Sequence, residues 1–227
     1  MLNNNLSVLY EDNHIIVINK KPGDLVQGDK TKDITLPEMI KNYLKIKYNK
    51  PGNVFCGVVH RLDRPTSGVV LFARTSKALK RMNEQFKTKQ PKKTYWAITE
   101  KTNIKKKDFL IHYLKKNEKK NKSFSVSKNI KGAKEAILNY QIIKELDRYF
   151  LIEVELETGR HHQIRAQLST IGSSIKGDVK YGAKRPNTDG SIALHAKKLC
   201  FYHPTTNEEI CINAPTPKND TWRIIIN

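Results

Sequence analysis

The chain has 227 residues, of which 42 are Lys or Arg and 22 are Asp or Glu, so its formal net charge is +20 at pH 7. Hydrophobic residues make up 38% of the sequence, and no apolar run approaches the ~18 residues that a membrane-spanning helix needs. This composition excludes a membrane-embedded protein and allows one large domain or two small ones.

Hydrophobic periodicity predicts strands and helices in the first half of the chain. In order, we predict a β-hairpin over 8–19, a helix over 36–48, a strand over 68–74, a helix from its N-cap Ser76 to about Thr88, and a strand over 93–100. Thr35 is placed to cap the first helix, because a threonine hydroxyl accepts a hydrogen bond from the free N–H groups of the first turn.

The second half of the chain shows the same two periodicities. In order, we predict two antiparallel strands over 136–142 and 150–156, a helix over 161–171, and further strands from residue 192 onward. Strands and hairpins with three interspersed helices are typical of an α+β fold, with a mixed, mainly antiparallel central β-sheet flanked by helices and loops. We expect a single domain over 1–227.

One segment, 101–134, differs sharply in composition from the rest of the chain. It contains twelve Lys, no Arg and two acidic residues, Asp108 and Glu118. Its few large apolar residues predict an exposed Lys-rich insertion. Two interpretations stay open: a solvated hairpin or loop, or an arm that contacts phosphates.

The positive charge predicts a polyanionic partner, because a positive field attracts RNA, DNA or an anionic lipid surface. Lys outnumbers Arg by 33 to 9, so a drift toward lysine on solvated faces would explain the charge without any partner. The composition alone leaves both explanations open. The positions of the few Arg residues are therefore more informative than the total.

The cysteines and the N-terminal residues bear on the cellular compartment. Cys56, Cys200 and Cys211 are an odd number without a CxxC pair, which predicts neither a disulfide framework nor a cysteine-based zinc site. Residues 1–13 carry no basic segment followed by an apolar stretch, and their acidic residues argue against a transit peptide. We therefore expect a reducing compartment and a cytoplasmic protein.

Three segments are dense in side chains that do chemistry: VVHRLDRPTSG at 58–68, KKTYWA at 92–97 and ETGRHHQIRAQLSTIGSSIKGDVKYG at 157–182. The first and third contain four of the nine Arg residues, namely Arg61, Arg64, Arg160 and Arg165. A guanidinium group binds a carboxylate or phosphate through two parallel hydrogen bonds, which a lysine ammonium cannot copy. These arginines therefore indicate specific sites rather than generic charge.

The three segments resemble the motifs of the RluA-type family of RNA pseudouridine synthases, which read HRLDxxTSG, KxYxA and TGRxHQIRxxxxxxGxPIxGDxxYG. The motifs stand in the family's order and spacing, and the resemblance runs from about Val8 to the C-terminus. It implies the pseudouridine synthase fold and an enzyme that isomerises specific uridines in structured rRNA or tRNA. The S4 module that many relatives carry in front is absent here, so the resemblance implies a stand-alone catalytic domain.

The resemblance also implies three catalytic residues. Asp63, the last residue of HRLD, matches the family's catalytic aspartate, which attacks C1′ as a nucleophile or removes a proton from C2′. Arg165, the last residue of QIR, would keep that carboxylate ionised, and on the predicted helix it shares a face with His161 and His162. Tyr95 matches the tyrosine that packs on the uracil, although a strand tyrosine is ordinarily a core residue.

Further residues are expected to handle the RNA, because a uridine in folded RNA must be extruded before it can react. Arg61 matches the family residue implicated in base flipping. We expect His60 and Arg64 to orient the same loop or to contact phosphates. The expected substrate pocket consists of Leu194, Arg160, His162 and Gln163.

No cofactor is expected, because the isomerisation consumes nothing and the chain lacks nucleotide-binding motifs. A metal site is not expected either, since the histidines and Asp178 form neither HExxH nor a His/Cys cluster. We expect a monomer with RNA as partner, no membrane and no obligatory protein partner. The alternative function is a non-catalytic RNA-binding or ribosome-assembly factor that uses the same fold.

Overall fold

The structure of the protein is a computed structural model that describes residues 6–28, 31–223 and 225. The chain folds as two compact units, unit 1 (Met1–Pro91 with Ala196–Thr216) and unit 2 (Lys92–His195 with Pro217–Asn227). Residues 1–5 of the N-terminal segment considered above lie outside the described residues. That 1–227 works as a single catalytic domain stays a prediction.

The strands are β1 (Val8–Glu11), β2 (Ile15–Lys20), β3 (Gly57–Val58), β4 (Ser67–Ala73), β5 (Lys92–Glu100), β6 (Lys107–Asn117), β7 (Lys122–Val126), β8 (Lys134–Glu145), β9 (Tyr149–Leu156), β10 (Leu194–Tyr202) and β11 (Glu209–Asn213). The helices are α1 (Leu36–Lys47), α2 (Ser76–Lys87), α3 (Gln163–Thr170) and α4 (Asp220–Arg223), with a 3-10 turn at Val179–Tyr181. Strands in mainly antiparallel pairs combined with helices confirm the α+β class. Within the described ranges, no helix has the length and hydropathy that crossing a bilayer requires.

Antiparallel strands and helix α1 build unit 1. The predicted N-terminal hairpin is confirmed as β1 and β2, and the Asp12 carboxylate holds its turn by accepting hydrogen bonds from the backbone of His14 and Ile15. β2 also pairs with β4, in which every residue is buried. The core between these strands and α1 is formed by Ile16, Ile18, Val26, Leu36, Ile40, Leu44, Val70 and Phe72.

Both helices of unit 1 begin after a threonine. Thr35 is confirmed as the N-cap residue of α1, but its hydroxyl, like its backbone N–H, donates to Glu38 Oε2, at 2.7 and 2.8 Å respectively. The predicted cap Ser76 is wrong by one residue. Thr75 has extended backbone, φ −139° and ψ 153°, and its hydroxyl oxygen accepts from the backbone of Ala78 at 3.1 Å. Ser76 is already the first helical residue, so it cannot be the half-extended cap.

The cysteine prediction is partly wrong. β10 and β11 pair in a register that places Cys200 directly opposite Cys211, and the two form a disulfide. An odd number of cysteines gave no sign of this pair, because only the strand register brings them together. Cys56 is the free cysteine of the described chain, and it packs against the core of unit 1. Burial raises the pKa of its thiol to about 12.

Unit 2 is an antiparallel sheet in which β5 pairs with β9, β9 with β8, β8 with β6, and β6 with β7. The predicted strands on either side of 147–148 are confirmed as β8 and β9. Helix α3 packs on one face of β6 and β7. Its Ala166 shares a buried apolar cluster with Leu114, Ala136 and Tyr181.

Most of the Lys-rich segment 101–134 is β-structure. β6 pairs with β8 over eight positions, from Lys107 opposite Gln141 to Leu114 opposite Lys134. Leu110 and Leu114 are buried, whereas the lysines of the segment lie at its surface. The segment is thus part of the sheet of unit 2, with an exposed hairpin end between β6 and β7. Its description as an insertion stays a prediction.

Candidate active site

Both units contribute residues that the sequence analysis selected. Unit 1 contains His60, Arg61, Asp63 and Arg64. Unit 2 contains Tyr95, Arg160, His162, Gln163, Arg165 and Leu194. The two sets differ in burial, since Arg61 and Arg64 are exposed whereas Arg165 is 5% exposed.

Asp63 lies half-buried in the loop between β3 and β4. Its carbonyl oxygen accepts a hydrogen bond from the backbone of Thr66 at 3.0 Å, which closes a turn around the aspartate. The neighbouring carbonyl of Arg64 accepts from the backbone of Gly23 at 2.8 Å. These two backbone hydrogen bonds therefore fix the conformation of the loop, which leads directly into the buried strand β4.

Lys20 contacts this loop, and the sequence analysis did not select it as a functional residue. Its side chain is 1% exposed, and Nζ donates to the carbonyl oxygens of Lys21, Arg64 and Thr66 at 2.9, 3.0 and 2.7 Å. Two of these carbonyls, those of Arg64 and Thr66, closely follow Asp63 in sequence, so the ammonium group fixes the backbone of the Asp63 loop. The available signal was the lysine's core-facing position on β2, two residues after a buried isoleucine.

The charge of Lys20 also acts on its surroundings. Burial lowers the pKa of Lys20 to about 8, while the carboxylates of Asp24 and Asp63 act in the opposite direction. The lysine is therefore a positive charge that interacts electrostatically with the carboxylate of HRLD.

The guanidinium groups of Arg61 and Arg64 are held by exposed polar contacts. Arg61 Nη1 donates to Gln27 Oε1 at 2.7 Å. Arg64 Nη2 donates to Asp33 Oδ2 at 2.6 Å in an ion pair whose two side chains are 44% and 53% exposed. Exposed pairs of this kind contribute only about 0–1 kcal/mol, so both groups can exchange these partners for phosphates.

His60 points into unit 1. Its Nε2 accepts a hydrogen bond from the backbone of Leu71 at 3.1 Å, and its ring stacks on Phe86 with a centroid distance of 4.9 Å. A ring nitrogen that accepts from a backbone N–H carries no proton of its own. These contacts favour the loop-orienting role for His60 over phosphate contact.

Arg165 forms a buried ion pair that the sequence analysis did not anticipate. Its Nε and Nη2 donate to the two carboxylate oxygens of Asp178 at 2.7 and 2.9 Å, and Asp178 is 1% exposed. The guanidinium carbon lies 5.0 Å from the ring centroid of Tyr181. Two parallel hydrogen bonds and a ring contact fix the plane of the group. The signal in the sequence for this pair was Asp178 itself, in the GD of the third motif, which lies in the same unit as Arg165.

The helix prediction at His161 is wrong, because α3 begins at Gln163. His162 has a left-handed backbone with φ 53°, so neither histidine shares a helical face with Arg165. The Gln163 side chain explains this start, since its Oε1 accepts from the Thr158 hydroxyl at 2.8 Å and from the backbone of Arg160 at 2.9 Å. These bonds hold the preceding residues in a turn.

His162 is a neutral structural partner. Its Nδ1 lies 3.0 Å from the Tyr181 hydroxyl, and the side chain is buried. Burial first, and then the positive charges of Arg165 and His161, lower the pKa of His162 to about 2. The imidazole is therefore uncharged at neutral pH. These contacts support a positioning role, and its place in the substrate pocket stays a prediction.

The other expected pocket residues differ in exposure. Tyr95 is 8% exposed and Leu194 is 4% exposed, whereas Arg160 is exposed and donates through Nε to the carbonyl of Glu135 at 2.7 Å. Trp96 lies on the opposite face of β5 from Tyr95, and its indole N–H donates to Glu153 at 3.1 Å.

The histidines weighed for a metal site have other partners. His203 Nε2 lies 2.9 Å from Asp12 Oδ2, and the His195 ring meets Trp222 edge-on with a centroid distance of 5.6 Å. In the part of the chain that the structure describes, no group of three or more His, Cys, Asp or Glu side chains is arranged to hold a metal ion. These histidines serve as structural contacts.

An α+β fold, a strong positive charge, and a half-buried carboxylate next in sequence to exposed guanidinium groups fit the class of enzymes that act on RNA. A family model described as RNA pseudouridylate synthase matches residues 14–170. The match covers the HRLD, KTYWA and TGRHHQIR segments. The chain belongs to the RNA pseudouridine synthase family and is an isomerase.

Curated relatives carry the same designation. An uncharacterized RNA pseudouridine synthase of Chlorobaculum parvum is 33% identical, over 94% of this chain and 72% of that protein. Ribosomal large subunit pseudouridine synthase C of Buchnera aphidicola is 34% identical, over 93% of this chain and 67% of that protein. tRNA pseudouridine synthase C of Haemophilus ducreyi is 32% identical, over 98% and 95%. These relatives favour the catalytic function over the non-catalytic alternative.

A solved structure supports the fold. Human RNA Pseudouridylate Synthase Domain Containing 4 superposes with a TM-score of 0.77 at 23% identity, covering 93% of this chain and 89% of that chain. At this identity the likeness concerns the fold alone. It confirms the pseudouridine synthase fold that the sequence motifs implied.

Proposed function

We propose that this enzyme converts specific uridines in structured rRNA or tRNA to pseudouridine, with Asp63 as its catalytic carboxylate. The observation that carries the proposal is the setting of Asp63, half-buried in a loop whose backbone the Lys20 ammonium fixes. Relatives named for large-subunit rRNA and for tRNA support this class of substrate.

The reaction is an intramolecular exchange of bonds. The bond from C1′ of the ribose to N1 of uracil breaks, the base turns, and a bond from C1′ to C5 forms while the proton on C5 is lost and N1 gains one. A carboxylate at the sugar serves either as a nucleophile at C1′ or as a base at C2′. The position of Asp63 is compatible with both routes.

Tyr95 and Arg165 are proposed to act on the base and on the carboxylate, on the strength of their motifs. A tyrosine ring offers a flat apolar surface on which a uracil can stack. Arg165 supplies a buried positive charge whose direction is set by Asp178. Leu194 is proposed as the apolar wall of the pocket, with Arg160, His162 and Gln163 shaping its edge.

Extrusion of the uridine is proposed to use Arg61. The group is exposed and is held by the neutral amide of Gln27. Breaking this contact costs little, because water replaces the lost hydrogen bond at the surface. Arg64 is proposed to contact a phosphate after leaving Asp33, in keeping with the preference of guanidinium groups for phosphate.

We further propose that the protein is a monomer, that RNA is its only required partner, and that it is located in the cytoplasm. The RNA-modifying activity supports the location, since rRNA and tRNA are cytoplasmic in bacteria, from which the compared curated relatives come. Size-exclusion chromatography with light scattering tests the oligomeric state. A stable dimer at micromolar protein would contradict the proposal.

The decisive experiment incubates the purified chain with unmodified rRNA and tRNA transcripts and maps pseudouridine by carbodiimide modification and primer extension. We expect conversion at defined uridines, and a loss of at least about a hundredfold in Asp63→Asn. Asp33→Asn is the matched control, because it removes an exposed carboxylate of the same unit. If Asp63→Asn converts the same uridines at the wild-type rate, Asp63 is not the catalytic carboxylate.

A further inference from the structure

The exposed end of the β6–β7 hairpin concentrates positive charge on unit 2. Five of the eight residues from 115 to 122 are lysines. Lys180, two residues after Asp178, extends to this hairpin end, where its Nζ donates to the carbonyl of Asn121 at 3.3 Å. We call this set the basic rim: Lys115, Lys116, Lys119, Lys120, Lys122 and Lys180.

We propose that the basic rim is the surface of unit 2 that binds the phosphates of the substrate RNA. The proposal rests on the proposed function for the identity of the polyanion. It assigns the binding to one end of the Lys-rich segment, whereas the sequence left the whole of 101–134 undecided between a solvated loop and an arm.

The first argument is that the hairpin end is anchored, unlike a solvated loop. The Tyr181 hydroxyl, on a side chain that is 3% exposed, accepts from the backbone N–H of Ser123 at 2.8 Å and donates to its carbonyl at 3.1 Å. His161 adds two further contacts, with Nδ1 at 2.9 Å from the Ser123 hydroxyl and Nε2 at 3.1 Å from Asn121 Oδ1. The lysines are therefore displayed from a fixed backbone.

The second argument is that this anchor also holds Arg165. The Tyr181 ring lies under Lys122 Nζ at 4.8 Å and under the guanidinium carbon of Arg165 at 5.0 Å. His162, which contacts the Tyr181 hydroxyl, stacks on His161 with a centroid distance of 3.8 Å. One buried tyrosine thus connects the rim to the arginine of QIR, so RNA bound at the rim is held at a fixed distance from that arginine.

The third argument is electrostatic. Burial is the main cause of the lowered pKa of His162, and the charges of Arg165, Lys180 and Lys116 act on this buried ring in the same direction. Lys116 pairs with Glu118 at 2.6 Å, but these side chains are 36% and 78% exposed and such a pair is weak. A phosphate displaces it at little cost. A rim of one sign on a fixed backbone suits the regularly spaced charges of an RNA strand.

The test compares two triple variants with equal loss of charge. Lys116, Lys119 and Lys120 are changed to Gln in the rim, and Lys105, Lys106 and Lys107 are changed to Gln in the control. The control lysines precede or begin β6, about 30 Å of strand away from the hairpin end. Both variants are made in the Asp63→Asn background, so that binding is measured without turnover.

The measurement is the affinity for a fluorescently labelled, unmodified rRNA stem-loop transcript between 50 and 300 mM KCl. For the rim variant we expect the slope of log affinity against log salt to fall by about 2 to 3, since each phosphate contact contributes ~0.7–0.9. The control variant should keep the slope. Equal losses in the two variants, or no loss in the rim variant, would overturn the proposal.

A second readout separates this proposal from the proposed function. With Asp63 intact, the rim variant should convert uridine at an unchanged kcat and a raised KM. A rim variant with unchanged KM contradicts the rim as a binding surface. If the wild type converts no uridine but the rim variant still loses RNA affinity and salt dependence, the isomerase function fails and the rim assignment holds.

Discussion

The two units hold two arginines of the candidate site, Arg64 and Arg165, in opposite ways. In unit 1 the Arg64–Asp33 pair is exposed, with side chains 44% and 53% accessible. In unit 2 the Arg165–Asp178 pair is buried, with side chains 5% and 1% accessible, and it is bidentate. An exposed pair exchanges partners readily, whereas a buried pair keeps one orientation. An arginine held as Arg64 is can leave its partner for a phosphate, as proposed above, whereas Arg165 is held in one orientation.

The supports beneath these arginines differ as well. In unit 1 a charged group, the Lys20 ammonium, donates to backbone carbonyls of the Asp63 loop. In unit 2 the neutral Tyr181 hydroxyl and neutral His162 hold the turn and hairpin around Arg165. Unit 1 should therefore respond to pH near the pKa of Lys20, about 8, whereas His162, with a pKa lowered to about 2, stays neutral in that range.

The largest effect is expected for Asp178→Asn. The change leaves the guanidinium of Arg165 buried without its carboxylate, which typically costs about 3–5 kcal/mol. The free energy of unfolding in urea measures this loss, and pseudouridine formation should fall with it. A cost below about 1 kcal/mol would mean that the buried pair does not differ energetically from the exposed one.

Lys20→Met should be next in size. Methionine fills the space of the lysine but leaves the carbonyl of Thr66 without the ammonium donor and the carbonyl of Arg64 with the Gly23 N–H, at a cost of about 2 kcal/mol. Because the loop carries Asp63, kcat should fall more than KM rises. Lys21→Met is the matched control, since that side chain is exposed. Equal kinetics for the two variants would contradict a positioning role for Lys20.

The pH dependence of Lys20 has a definite sign. Its folded pKa, about 8, lies below the value of 10.5 for a free lysine, so the unfolded chain binds more protons between these values. The contribution of this group to the free energy of unfolding therefore rises with pH from about 8 to 10.5. Activity should instead fall above pH ~8, because the loop loses its ammonium. Both trends should be absent in Lys20→Met.

Tyr181→Phe tests the neutral support in unit 2. It removes the hydroxyl that bonds to Ser123 and His162 while it keeps the ring beneath Arg165 and Lys122. We expect a loss of about 1–2 kcal/mol and faster amide hydrogen exchange at Ser123. Unchanged exchange at Ser123 would show that the hairpin end does not depend on this hydroxyl.

The sequence predicted elements whose signal is local. The hairpin at β1 and β2, the helix capped by Thr35, and the strands β8 and β9 follow from period and turn residues. It missed β6 and β7 because their partners are set by register and their outward positions are rich in lysine. It placed the start of α3 at His161, because the bonds that the Gln163 side chain makes to Thr158 cannot be read from periodicity.

The same division applies to the candidate site. Motifs in the sequence select Asp63 and Arg165 directly. The residues that position Asp63 and Arg165 cannot be found from motifs. Lys20 donates to the carbonyls of Arg64 and Thr66, which are 44 and 46 residues away in sequence. Asp178 follows Arg165 by 13 residues, and only the folded chain makes it that arginine's partner. Pairing across such distances depends on the packing of the units.

The smallest effect is expected for Asp33→Asn, the counterpart of Asp178→Asn in unit 1. The variant removes the carboxylate partner of Arg64, and the exposed pair should contribute no more than about 1 kcal/mol to the free energy of unfolding. RNA affinity should rise slightly, because Arg64 no longer leaves a carboxylate to reach a phosphate and one negative charge is gone. Urea unfolding and binding of the stem-loop transcript measure the two quantities. A loss as large as that of Asp178→Asn would remove the difference between an arginine that moves and one that stays.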